Sequence, residues 1–280
     1  VIGGQVKAYD GNDTAEGKND RLKVATYNVN SIRSRLHIII PWLTRHKPDL
    51  FCMQETKVDD KEFPDREFKD AGYHIAYSGG KRYNGVAVAS AEELDMVSFG
   101  FDDGGPADTD RVLYCIYSGI KLMNLYVPQG RSRDNEQFKY KLEWFDRIIR
   151  YLERHSSRED PVICCGDLNV ARENIDVHDP KRLLGHVDFN PEVWKAFDRL
   201  TAWGFTDIFR IHHREERGLY TFFDYRVPRS LERGLGWRVD HILATGCLKD
   251  RSKDCYIDLD ARRMEKPSDH TILVAEFAPI

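Results

Sequence analysis

Three short polar triplets, each abutting an apolar run, constrain this chain more than any bulk property. Asp49-Leu50-Phe51-Cys52-Met53 leads into Gln54-Glu55-Thr56. Pro161-Val162-Ile163-Cys164-Cys165 leads into Gly166-Asp167-Leu168-Asn169, and Ser268-Asp269-His270 leads into Thr271-Ile272-Leu273-Val274-Ala275. Apolar runs of this length read as buried strands. Polar residues at the ends of several buried strands meet at one rim of a sheet. Asp, Glu, Asn and His meeting there suit a hard cation and acid–base chemistry, and do not suit a core.

The chain's 280 residues are long enough for a sizeable core. Charged residues make up 31% and hydrophobic residues 41%, which predicts a soluble globular protein. No apolar run reaches membrane-spanning length, and no signal-peptide pattern opens the chain. The six cysteines lack Cys-x-x-Cys spacing and mostly sit in apolar runs, so reduced thiols in a reducing compartment are expected. The net charge of −4 argues mildly against a nucleic-acid partner. The stretch Tyr225 to Arg238 argues the other way, with Arg226, Arg229, Arg233 and Arg238 against the single acid Glu232. A carboxylate-rich site lowers the net charge and leaves local basic patches in place.

Residues 1–20 show no periodicity and are expected to lie outside the fold, with residues 21–280 forming one catalytic domain. Strands are predicted at Leu22 to Tyr27, His74 to Ser78, Val86 to Ala89, Met96 to Phe99, Val112 to Tyr117, Lys121 to Val127, Val239 to Ala244, Asp254 to Ile257 and Ile272 to Phe277. Ser31 is a candidate cap for a helix that Pro41 should kink or restart. Asp134 is a candidate cap for a long amphipathic helix to about Leu152, and Pro191 opens another to about Trp203. Early helix–strand alternation with hairpin-like strands predicts an α/β fold with mixed sheets.

Asn28 and Asn30, two apart at the end of the first strand, share a side of an extended segment. Alone they could be an ordinary turn, as Glu55 alone could be a solvated strand end. Tyr126, in Tyr126-Val127-Pro128-Gln129-Gly130, is either a packed aromatic with an exposed hydroxyl or a phenol that donates to a phosphate oxygen. Asp167 and Asn169 share one strand end, where Asp-x-Asn can equally be a turn or cap; in a functional site the acid can orient a water and the amide can donate to developing charge. Asp269 and His270 are adjacent, so their side chains diverge. His270 therefore needs another acid to set its tautomer, and Asp240 in Trp237-Arg238-Val239-Asp240-His241 is the candidate, as a satisfied structural pair or as the orienter–imidazole unit of a hydrolase. No Gly-x-Ser-x-Gly, P-loop or Gly-x-Gly-x-x-Gly is present.

Together and in this order, the segments resemble the exonuclease III family of AP (abasic-site) endonucleases, within the endonuclease/exonuclease/phosphatase superfamily that includes DNase I. The resemblance runs from about residue 22 to residue 277. It is carried by Asn28-Val29-Asn30-Ser31-Ile32-Arg33, Lys47 to Lys57, Tyr126 to Gly130, Cys165 to Ala171 with Ile175-Asp176, Tyr220-Thr221-Phe222, Gly236 to Asp240, and Ser268-Asp269-His270. Tyr-Thr-Phe and Gly-Trp-Arg-x-Asp point to the DNA-repair branch.

The resemblance implies a four-layered α/β sandwich: two mixed sheets face to face with helices outside. It implies a Mg²⁺-dependent enzyme, with Mn²⁺ as substitute, acting as a monomer on double-stranded DNA at abasic sites and 3′ ends. Glu55 and Asp269 look like metal ligands with Asn30 nearby; Asn28, Asp167 and Asn169 adjoin them. Asp167 looks like the group that activates the water or protonates the leaving group, with Asn28 and Asn169 holding the water and a phosphate oxygen. Tyr126 and His270 would bind the scissile phosphate, with Asp240 orienting His270. Phe222, Trp237 and Val239 match positions lining an abasic-sugar pocket, and Arg131 and Arg238 count with the DNA contacts. His241 departs from the aromatic common at its position. A cytoplasmic, nucleoid-associated bacterial or archaeal enzyme fits. The alternatives are a hydrolase of the same superfamily acting on RNA, a phosphoinositide or a sphingolipid, and a catalytically inactive DNA-binding scaffold.

Overall fold

Each of the two β-sheets carries six strands and has one parallel pair at its centre. The computed structural model describes residues 21–80 and 83–279, so the proposed extension at residues 1–20 lies outside the described residues. In chain order the strands are β1 (Leu22–Asn28), β2 (Leu50–Gln54), β3 (His74–Ser78), β4 (Val86–Ser90), β5 (Met96–Phe99) and β6 (Val112–Tyr117). They continue as β7 (Ile120–Tyr126), β8 (Val162–Asp167), β9 (Phe205–Asp207), β10 (Asp240–Thr245), β11 (Ser252–Asp258) and β12 (Ile272–Phe277). One sheet has the order β11-β12-β1-β2-β4-β3 and the other β5-β6-β7-β8-β10-β9. Only β1/β2 and β7/β8 pair in parallel among the described strands; their neighbours run antiparallel.

The central strands are buried on both faces, which is why their sequences are continuous apolar runs and do not alternate. Val24, Cys52 and Val88 of the first sheet meet Cys115, Ile163 and Ile242 of the second in one cluster between the sheets. Outside the first sheet, helix Leu36–His46 buries Ile38, Ile39, Trp42 and Leu43. Outside the second, helices Glu136–His155 and Pro191–Ala202 bury Trp144, Phe145, Ile148, Val193 and Phe197. Helix, sheet, sheet and helix form a four-layered α/β sandwich, as expected from the sequence.

Most strands lie within a residue or two of their expected bounds. The caps do not. Helix Leu36–His46 begins five residues after Ser31, whose backbone instead bonds the Glu55 carbonyl oxygen in a left-handed turn (φ 88°). The helix runs unbroken across Pro41, because a proline removes one backbone donor while the buried face holds the helix on the sheet. The long helix starts one residue later than Asp134 predicts: Asn135 caps it, accepting from the Gln137 amide at 2.9 Å. Strand β9 and several one-turn helices were not foreseen, being too short to show a period.

Candidate active site

Register aligns the polar strand ends. Asp167 at the end of β8 sits beside Tyr126 of β7 and directly opposite Asp240 of β10, so one row across the second sheet carries all three. Gly166 permits that approach. Its φ is 132°, and a Cβ there would lie 2.0 Å from the Leu125 carbonyl oxygen. In the first sheet Asn28 pairs with Gln54, which places Glu55 one residue beyond the sheet end.

The two rows meet. Asn28 Nδ2 donates to Glu55 Oε1 and to Asp167 Oδ2, both at 2.9 Å. The Tyr126 hydroxyl donates to Glu55 Oε1 at 2.7 Å, and Asn30 Nδ2 to Asp269 Oδ1 at 2.9 Å. Ser268 Oγ bonds the Asn28 carbonyl oxygen at 2.7 Å and locks the Ser-Asp-His segment onto β1. Asn30, Glu55 and Asn169 all adopt left-handed backbone (φ 42°, 53° and 51°). Such conformations cost free energy in non-glycine residues, and their concentration here marks a site the surrounding fold holds in place.

His270 Nδ1 lies 2.8 Å from Asp240 Oδ2, and its Nε2 lies 3.8 Å from Asp167 Oδ2. Adjacent Asp269 points elsewhere, so the acid that orients the imidazole is Asp240, thirty residues away. Burial works against a charged imidazole, but Asp240 and Asp167 outweigh it and raise the His270 pKa to about 10. Burial also pushes Asp167 up, to about 8, with Asp240 and Glu55 adding to the rise and His270 and Asn28 opposing it. Burial likewise opposes the Glu55 charge, but Lys57, Asn28 and Tyr126 hold this carboxyl below its usual range. Burial and the Glu55 and Asp167 charges raise Tyr126 well above a normal phenol, so it is a hydrogen-bond donor.

A cavity of about 390 Å³ opens over these groups, lined by Glu55, Tyr126, Asp167, Asn169, Asp269 and His270 on one side. Phe222, Trp237 and Val239 form its apolar wall. The Phe222 ring lies 4.9 Å from His270 and the Trp237 ring 4.8 Å from His186. Arg131 is exposed at the edge of a neighbouring cavity of about 590 Å³, which shares His186 with the first.

Arg238 requires a correction. Its side chain is buried, bonded to Asp176 (2.7 Å) and Asp207 (2.8 Å), and cannot reach a DNA backbone. The alternation of an extended segment turns Trp237 and Val239 to the cavity and Arg238 away from it. His241 joins the same buried network, 3.5 Å from Asp207 and 2.7 Å from the Val170 carbonyl oxygen. Arg238→Ala is therefore expected to destabilise the fold by about 3–5 kcal/mol, the usual effect of stripping one partner from a buried ion pair. Denaturant titration checks this; loss of DNA affinity at wild-type stability would contradict it.

Several residues at the site carried no isolated signal in the sequence. Lys57 Nζ lies 2.6 Å from both Glu55 Oε2 and Asn30 Oδ1. Arg111 stacks over the Tyr126 ring at 4.6 Å and bonds the Tyr126 carbonyl oxygen. His186 reaches the cavity from a turn with no strand-end context. Lys57 was legible only as the neighbour of Glu55 in the same motif.

The donor set of Glu55, Asp269 and Asn30 is all oxygen and nitrogen-free at its accepting atoms, which suits a hard divalent cation. The Lys57 ammonium between Glu55 and Asn30 marks where positive charge is favoured. Asp167, Asp240 and His270 also offer atoms within 4.8 Å of one another. His270 Nδ1 is engaged with Asp240, so this group reads better as an acid–base relay.

Residues 25–270 match the Endonuclease/Exonuclease/phosphatase family, and the chain belongs to it. Within that family it falls in the exonuclease III and AP endonuclease branch, a branch of metal-dependent nucleases. It is 32% identical to exodeoxyribonuclease III of Haemophilus influenzae over 91% of this chain and 100% of that protein. An AP endonuclease structure from Archaeoglobus fulgidus is 51% identical, with a TM-score of 0.90 over 92% of this chain and all of that one. The 3′-5′ exonuclease NExo from Neisseria meningitidis is 34% identical, with a TM-score of 0.89 over 92% of this chain and 100% of its own.

Proposed function

We propose that this protein is an AP endonuclease of base excision DNA repair. It hydrolyses the phosphodiester 5′ to an abasic site to leave a 3′-OH, with 3′→5′ exonuclease and 3′-end-cleaning activity. The observation that carries the reading is the meeting of the Asp240–His270–Asp167 relay with the Glu55–Asn30–Asp269 oxygen cluster, beside an apolar wall of Phe222, Trp237 and Val239. The strand-end register follows from β7, β8 and β10 pairing side by side.

Glu55, Asp269 and Asn30 would hold Mg²⁺, or Mn²⁺ in its place, with Asn28, Asp167 and Asn169 alongside; the bound cation supplies charge stabilisation to a phosphate that gains negative charge. In its ionised form, which its raised pKa makes the major one only above about pH 8, Asp167 takes a proton from the attacking water as the water oxygen adds to phosphorus; the bond to the leaving 3′ oxygen breaks and that oxygen takes up a proton from solvent to become the 3′-OH. Asn28, which already bonds Asp167, and Asn169 hold the water and a phosphate oxygen. The Tyr126 hydroxyl and the protonated His270 Nε2 donate to the phosphate. An abasic nucleotide lacks stacking and pairing, so turning it out of the helix costs less than for an intact one. Phe222, Trp237 and Val239 receive the sugar, and Arg131 contacts the backbone outside. The enzyme acts as a monomer on cellular DNA; among the described residues no helix is long and apolar enough to cross a membrane.

Cleavage of a duplex with one abasic site, with both product ends identified, tests the assignment. Trp237→Ala is expected to reduce the preference for abasic over intact duplex more than it weakens overall DNA binding, because affinity comes mainly from phosphate contacts. Competition binding on the two duplexes measures this, and equal losses on both would remove Trp237 from the pocket.

A further inference from the structure

Lys141 lies on the inner face of helix Glu136–His155 with its side chain fully buried. None of the steps above uses it. Its Nζ lies 3.1 Å from the carbonyl oxygen of Gln129, 2.7 Å from that of Asn169, 3.1 Å from that of Val187 and 2.6 Å from Asp188 Oδ1. Carbonyl and carboxylate oxygens only accept, so this arrangement calls for the ammonium form with its three donors. Burial lowers the Lys141 pKa and Asp188 opposes that fall. A buried ammonium is an unfavourable way to fill a core position, and an apolar residue would do so more cheaply.

The bonded segments are the ones that build the site. Gln129 follows Tyr126 by three residues and lines the cavity. Asn169 also lines the cavity, and its side chain bonds the Val127 carbonyl oxygen at 2.9 Å. Val187 and Asp188 follow His186, the residue packed on Trp237. The Asp188 amide donates to His186 Nδ1 at 3.2 Å, and Asp188 Oδ2 lies 3.5 Å from the same nitrogen. One ammonium thus joins the phosphate side of the cavity to its aromatic wall.

We propose that Lys141 is a positioning residue that fixes the spacing between Asn169 and the His186–Trp237 wall, so that cleavage rate and abasic-site preference both depend on it. This rests on the functional reading above. A shift of an ångström in a positioned group can lower a rate about 100-fold, so the expected effect is large.

Lys141→Met alone leaves Asp188 buried without its cation and risks misfolding. The informative variant is Lys141→Met/Asp188→Leu, which removes both charges and keeps apolar packing. Lys141→Gln/Asp188→Asn, neutral but still polar, serves if the apolar pair does not fold. For whichever variant melts near the wild-type temperature, single-turnover cleavage of the abasic duplex is expected to fall about 10- to 100-fold. Abasic-over-intact preference should fall with it, while affinity for intact duplex stays within about threefold because phosphate contacts set it. A purely structural lysine would give normal rate and preference once stability is restored, and that result overturns the proposal. Wild-type protein that does not nick the abasic duplex overturns the functional reading instead, so the two failures are distinct.

Discussion

Asp167→Asn is expected to lower single-turnover cleavage of an abasic duplex by about 10²–10⁴, the range for a positioned acid–base group. The amide keeps the shape and can still meet Asn28, but cannot take a proton. DNA binding should hold, and tighten above about pH 8, where the wild-type Asp167 is ionised beside the phosphate and the amide is not. His270→Asn should also cripple turnover, because the imidazole faces both Asp167 and the cavity. Asp240→Ala should do less, since Asp240 lies behind His270 and does not line the cavity. If Asp240→Ala proved the worst of the three, Asp240 would need a direct part in the reaction.

The same substitution has a stability signature. A carboxyl whose folded pKa is raised contributes stability below its unfolded pKa and loses it as pH rises toward the folded value. Asp167, pushed up to about 8, therefore weakens the wild-type fold progressively from about pH 4 to pH 8. Asp167→Asn escapes that loss. Its melting temperature should exceed wild type by a margin that widens across this window and levels off above it. A margin that shrinks with rising pH would mean that burial does not set the protonation of Asp167. Loss of activity with gain of stability in one variant is the pattern of a functional group held in an unfavourable environment.

The second large effect concerns the cation. EDTA is expected to abolish cleavage, and Mg²⁺ or Mn²⁺ to restore it. The ligands are few and partly exposed, so binding should be weak and exchange free. Glu55→Ala should lose most activity, with partial recovery at high Mg²⁺. The variant also strips Lys57, Asn28 and Tyr126 of their shared acceptor, so recovery should stay incomplete. Full activity after exhaustive chelation would sink the assignment of Glu55, Asp269 and Asn30.

Sequence alone determined where the strands end and which polar residues sit there. Apolar runs such as Pro161 to Cys165 read as buried strands, which puts Asp167 and Asn169 at a sheet rim. The divergence of Asp269 and His270 followed from adjacency, and Asp240 was the available partner. Tertiary structure decided what register and burial control. Arg238 looked like one more base in an arginine-rich stretch, yet strand alternation turned it inward onto Asp176 and Asp207. Nothing in the sequence marks Lys141 as buried, yet the structure encloses it against Asp188. His186 and Arg111 reached the site from segments with no periodicity to announce them. Sequence pattern reports local geometry, one element at a time. Which charge is buried, and against what, depends on how distant elements pack.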